Sequence, residues 1–108
     1  MTATRAQLLM TMNKHGHIGG ARGASAKALA ALLGCPERHV RKLVTELRDE
    51  GVALCGTPRG GYFIAATAEE LDQTCAFLRG RALHSLQLES RLRKLPLAEL
   101  LGQLTLPT

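Results

Sequence analysis

Leucine and alanine recur every three or four positions along most of this chain, and a glycine or proline breaks each run before the next begins. That spacing lines apolar side chains along one side of successive helices. Leu8, Leu9 and Met12 predict a first helix, with Thr4-x-x-Gln7 in front of it as a capping box and Gly16 at its end. Ser25 caps a second helix, AKALAALL, which Gly34 stops. Pro36 opens a third, PERHVRKLVTELRDE, and Gly51 ends it. A second capping box, Thr67-x-x-Glu70, opens a long helix running to about Leu95, and Pro96 starts the short helical segment PLAELLGQL. Strand composition shows in two places: Val52-Ala53-Leu54-Cys55 and Tyr62–Ala65 flank a turn at 56–61 crowded with Gly and Pro. Residues 15–23, HGHIGGARG, are too rich in glycine for a helix and predict a short strand at Ile18 within a loop.

The predicted order is therefore helix, strand, helix, helix, strand, turn, strand, long helix: a mainly α fold with a small β-hairpin. At 108 residues the chain is one domain in size. Along it, residues 1–66 form the core, 67–95 the long helix and 96–108 a leucine-rich tail. Leu71, Cys75, Leu78 and Ala82 make one stripe on the long helix, expected to close the core over the first helix and the strands. Leu88, Leu92 and Leu95 make a second, continued by Leu97, Leu100, Leu101 and Leu104. That is more leucine than a small domain needs. It predicts a homodimer built on Leu88, Leu92, Leu95, Leu100 and Leu101; the alternative is a tail folded back within one chain as a helical hairpin.

Charge changes this picture. The net charge is +5, and residues 1–65 hold nine basic side chains against four acidic ones, while the remainder is balanced. The third helix concentrates the asymmetry. Val40, Leu43, Val44 and Leu47 recur at i, i+3, i+4, i+7 and share one side. Arg38, Arg41, Lys42, Thr45 and Arg48 occupy the other, with the acids Glu37, Glu46, Asp49 and Glu50 on its flanks or last turn. Solvated helix faces usually alternate in sign at i, i+4. A face of one sign fits a polyanion, and a duplex major groove admits such a helix.

The residues that carry a resemblance are Ser25, Leu29-Ala30, Leu33-Gly34, Arg38, Val40-Arg41, Val44, Leu47 and Gly51, followed by the Gly-rich turn and its aromatic return strand. Over roughly residues 5–95 the chain resembles winged helix-turn-helix domains of the biotin-repressor N-terminal type. The stretch GGYFIAATAEELD, with LRGRAL after it, is also similar to small DNA-binding proteins of phages and prophages that carry a long helix after the wing. The resemblance implies that the third helix enters the major groove through Arg38, Arg41, Lys42 and Thr45, with His39 on its rim and Arg48 on the DNA backbone. It implies that the turn 56–61 is a wing whose Arg59 meets the backbone or a minor groove. Lys27 and Arg22 complete the basic set. Pro36 stands where that family often has Ser, and a phosphate contact there does not carry over, since Pro lacks both a hydroxyl and an N–H.

The resemblance thus points to a sequence-specific binder of double-stranded DNA, a small regulator of transcription. A replication or packaging accessory that marks a DNA site is one alternative, and a protein-interaction module without DNA is another. No catalytic constellation is expected, nor a cofactor. Cys35, Cys55 and Cys75 form no CxxC pair, and His15 and His17 alone are too few ligands for a metal site. Cys35 reads as a small packing residue. The turn 56–61 does not read as a nucleotide cradle, because it leads into a strand and lacks the Gly-Lys-Ser/Thr such a loop needs. No segment approaches the ~18 apolar residues of a membrane span. The opening MTATRAQLLM lacks a signal peptide's apolar run, and the odd cysteine count fits reduced thiols, so a cytoplasmic location is expected.

Overall fold

In the computed structural model, which describes residues 2–104, Thr4 accepts the Gln7 N–H while the Gln7 side chain accepts the Thr4 N–H. Both arms of the capping box are thus present, and helix α1 runs Arg5–Lys14. Ser25 caps α2 (Ala26–Leu33) through the Ala28 N–H, and Gly34 ends it in the left-handed conformation at φ 68°. Only three residues, Gly34, Cys35 and Pro36, separate α2 from α3 (Glu37–Asp49), whose N-cap is Pro36 with no side-chain bond. These elements belong to the first of two compact units, Met1–Thr74, and the second is Cys75–Thr108.

The core of the first unit forms where the apolar stripes meet. Leu8 and Met12 come from α1, Leu29 and Ala30 from α2, and Val40, Leu43, Val44 and Leu47 from α3. Each of the valine, leucine and methionine side chains, once removed from water, contributes about 1.5–3 kcal/mol of favourable transfer free energy. Cys35, in the α2–α3 turn, is half-buried against this cluster.

Strands β1 (Leu54–Thr57) and β2 (Gly61–Ile64) pair antiparallel, with Cys55 opposite Phe63 and Gly56 opposite Tyr62. β1 starts two residues later than the composition predicts. The Val52 N–H turns back to the Leu47 carbonyl and the Leu54 N–H to that of Val52, so 52–53 close the corner after α3. Phe63 is buried and Tyr62 half-buried, as alternation along a strand requires.

The glycine-rich segment between α1 and α2 runs along the free edge of β2. Gly19 donates to the Ile64 carbonyl, Ile64 donates to that of His17, and Ala24 and Tyr62 exchange a reciprocal pair of bonds at 2.8 and 2.7 Å. Ile18 makes a bridge to Ile64, as its strand character predicts, and Gly20–Arg22 adds a single 3-10 turn that the glycine content had hidden.

Helix α4 (Ala68–Arg93) starts at the expected cap, but only half of the capping box forms. Thr67 accepts the Glu70 N–H, whereas the Glu70 carboxylate reaches past it to the N–H of Ala66 and to that of Gly20. This changes which side of α4 faces inward. Glu70 is half-buried and Thr74, four residues on, is buried, while Leu71, Cys75, Leu78 and Ala82 are exposed. Leu71, the member of the predicted stripe that lies in the first unit, is therefore not part of its core: Glu70 and Thr74 take the inward side of the helix.

In the second unit, α4 ends at Arg93, and Lys94 after it adopts φ 55°. The Leu95 N–H returns to the Ser90 carbonyl, and the Ser90 hydroxyl donates to that of Leu95. Helix α5 follows (Leu97–Gln103). Leu88, Leu92, Leu101 and Leu104 are exposed and Leu95 half-buried. Leu100 is 2% exposed, which corrects its place in the dimer set, since a side chain buried within its own chain offers nothing to a second copy. The end of the predicted tail, 105–108, lies outside the described residues. Among the described residues no helix is long and apolar enough to cross a membrane.

Candidate nucleic-acid interface

Helix α3 divides sharply between its two sides. Val40, Leu43, Val44 and Leu47 are at most 2% exposed, while Arg38, Arg41, Lys42 and Thr45 stand in solvent. The buried side fixes the helix axis and its rotation, so the outward side chains leave from a rigid base. Thr45 donates its hydroxyl to the Arg41 carbonyl, which holds its rotamer.

The acids around this face are drawn aside. Arg5, on α1, forms ion pairs with both Glu46 and Glu50 on the flank of α3. Exposed pairs of this kind contribute little to stability. Their consequence is electrostatic: two of the four acids in the first 65 residues are neutralised from behind. Glu37 pairs with Arg41 at 3.6 Å, one turn along the helix. Among the described residues Arg22, Lys27, Arg38, Lys42 and Arg59 form no ion pair.

Two of the predicted contact residues are engaged elsewhere. His39 is half-buried and donates from Nε2 to the Ala3 carbonyl at 2.7 Å, which ties the start of the chain to α3. Arg48 is half-buried too and donates from Nε to the Leu54 carbonyl at 2.8 Å, bracing α3 against β1. His39 keeps the rim position expected of it, and Arg48 leaves the outward side on which it was expected. The reason is the same for both: a backbone carbonyl within reach captures a long side chain on the rim of a helix.

Arg59 lies exposed in the turn between β1 and β2, and Arg22 lies exposed in the 3-10 turn. The two turns interlock. A Cβ on Gly23 would meet the Gly60 carbonyl oxygen at 1.8 Å, and one on Gly61, whose φ is 72°, would meet that of Ala24 at 2.4 Å. Only glycine permits this approach, which seats the hairpin tip against the loop that leads into α2. Thr57 accepts the Gly60 N–H and closes the tip. Arg22 and Arg59 thus share one braced edge, and Lys27 follows on the exposed side of α2.

Glu70 anchors this edge from below. Its bond from Gly20, at 2.5 Å, and then that from Ala66 hold its carboxyl below the ordinary value for a glutamate. His17 donates from Nδ1 to the Arg22 carbonyl and stacks near His15, with ring centres 6.2 Å apart. That use of Nδ1 gives His17 a structural role in shaping the loop. Arg5 and Glu70 were not singled out as functional from sequence, since their partners lie about 40 and 50 residues away.

Comparison with known proteins adds no constraint: no family model, curated protein or solved structure matches the chain.

Proposed function

We propose that this chain is a winged helix-turn-helix protein that binds double-stranded DNA sequence-specifically, in the manner of small phage-type regulators of transcription. In this reading α2 and α3 are the helix-turn-helix pair, β1 and β2 carry the wing, and the segment 17–24 along β2 completes the small sheet. α3 lies in the major groove, with Arg38, Arg41, Lys42 and Thr45 facing base edges and phosphates. Arg59 and Arg22 grip the sugar-phosphate backbone beside it, with Lys27 adding charge.

One observation carries the proposal: α3 buries its entire aliphatic side, exposes a cationic one, and has two of the four acids along it, Glu46 and Glu50, occupied by Arg5. The exposed Phe77, Leu88, Leu92 and Leu101 support the second part of the reading, a homodimer joined through α4 and α5, now without Leu100. The same surface favours the alternative of a protein-interaction module, which needs no DNA. A role in replication or packaging shares the DNA contacts and differs only in the sequence marked.

Arg41→Ala and Lys42→Ala test the assignment. Each weakens duplex binding and lowers the salt dependence by about one unit of log–log slope if its partner is a phosphate. Because both side chains are exposed, circular dichroism and melting temperature stay unchanged. Unchanged affinity in both variants overturns the recognition-helix assignment.

A further inference from the structure

Glu37 is the acid at the forward end of α3, on the flank of its cationic face. Glu46 and Glu50 are paired to Arg5, and Asp49 sits in the last turn of α3. Glu37 instead stands in the first turn, directly after Pro36, with its carboxylate 3.6 Å from the Arg41 guanidinium and both side chains about half exposed. A carboxylate directed at phosphates is repelled. One directed at base edges meets hydrogen-bond donors, which in the major groove are the exocyclic amines of cytosine and adenine. Adenine presents its amine beside its own N7 acceptor, which repels a carboxylate; cytosine carries no acceptor on its own major-groove edge. Guanine and thymine present acceptors there, apart from the thymine methyl.

We propose that Glu37 is a specificity-determining residue that selects cytosine, at a position beside a guanine read by Arg41. The inference rests on the DNA-binding reading above. The ion pair sets the two heads side by side near the start of α3. Their two targets therefore lie in the same or successive base pairs. Arg41 takes the guanine O6 and N7 in bidentate fashion, and Glu37 accepts from the cytosine amine. The carboxylate thus sharpens discrimination while slightly lowering affinity for DNA in general.

The test is selection from random duplexes with wild type, Glu37→Ala and Glu37→Gln, followed by anisotropy titrations of the enriched site and its single-base variants. Wild type enriches a cytosine next to a guanine, and changing that cytosine weakens binding about tenfold or more. Glu37→Ala flattens that one position and binds random duplex as tightly as wild type or more so. Glu37→Gln moves the preference to adenine, whose donor and acceptor match an amide. Identical preferences in all three proteins overturn the proposal. So does a Glu37→Ala variant that loses melting temperature and binds every sequence equally less well, because Glu37 then acts only at the helix end. A wild type that binds no duplex at low salt refutes the DNA-binding reading itself, an outcome distinct from both.

Discussion

Gly23→Ala tests the interlock of hairpin tip and loop, on which the position of Arg59 depends. Gly23 has φ −66° and ψ 156°, a conformation alanine adopts freely, so backbone strain plays no part. The obstacle is steric. The new Cβ falls 1.8 Å from the Gly60 oxygen and 2.9 Å from the Gly60 carbon, and both are backbone atoms that no rotamer change can move. Reaching a separation that real Cβ atoms tolerate, at least 3.0 Å, forces the two turns apart by more than an ångström. The reciprocal Ala24–Tyr62 bonds, at 2.8 and 2.7 Å, cannot survive that movement. Two lost bonds at about 1 kcal/mol each, with about 1 kcal/mol of crowding, outweigh the roughly 0.4–1 kcal/mol that alanine returns by restricting the unfolded chain. The net expectation is a loss of about 2 kcal/mol, a fall of roughly 10 °C in melting temperature. Gly80→Ala is the matched control. Its Cβ meets nothing within 4 Å, and in mid-helix it stabilises by about 0.5–1 kcal/mol. Urea denaturation measures both, and hydrogen exchange at the Ala24 and Tyr62 amides reports the bonds directly. A Gly23→Ala protein as stable as wild type, with both amides still protected, refutes the interlock.

Leu47→Ala removes a side chain that is 2% exposed from the centre of the α3 packing and costs about 2–5 kcal/mol, read by the same denaturation. Glu70→Gln alters the acid limb of stability. A carboxylate whose pKa is lowered by folding contributes stability that is complete above its unfolded value, about 4.3, and is lost as pH falls through the lower folded value. The wild-type advantage over Glu70→Gln is therefore full at neutral pH and vanishes at strongly acid pH; an advantage independent of pH contradicts the anchoring role. Arg48→Ala frees α3 from the Leu54 carbonyl, so it lowers the melting temperature while leaving the salt dependence of any duplex binding unchanged.

Much of this fold is legible in the chain because its determinants are local. The Thr4/Gln7 box, Ser25, Gly34 and Pro36 sit where helices begin and end, and the Val40, Leu43, Val44, Leu47 spacing gives the buried side of α3 directly. What the sequence concealed depends on partners far away. The Thr67-x-x-Glu70 pattern predicts a local cap, yet the carboxylate goes to Gly20 and Ala66, and Leu71 beside it is left exposed. Four glycines in HGHIGGARG look alike, but Gly23 is the one whose Cβ position the Gly60 backbone occupies. His39 and Arg48 flank the face of α3 that carries Lys42, and only the neighbouring carbonyls of Ala3 and Leu54 draw them away from it.

The central claim is that the outward face of α3 and the braced Arg22–Arg59 edge meet a DNA duplex. A fluorescence-anisotropy titration with random duplex from low to physiological salt tests it most directly. If about six phosphates are neutralised, log affinity falls against log salt with a slope near −5. A protein that fails to bind even at low salt contradicts the account.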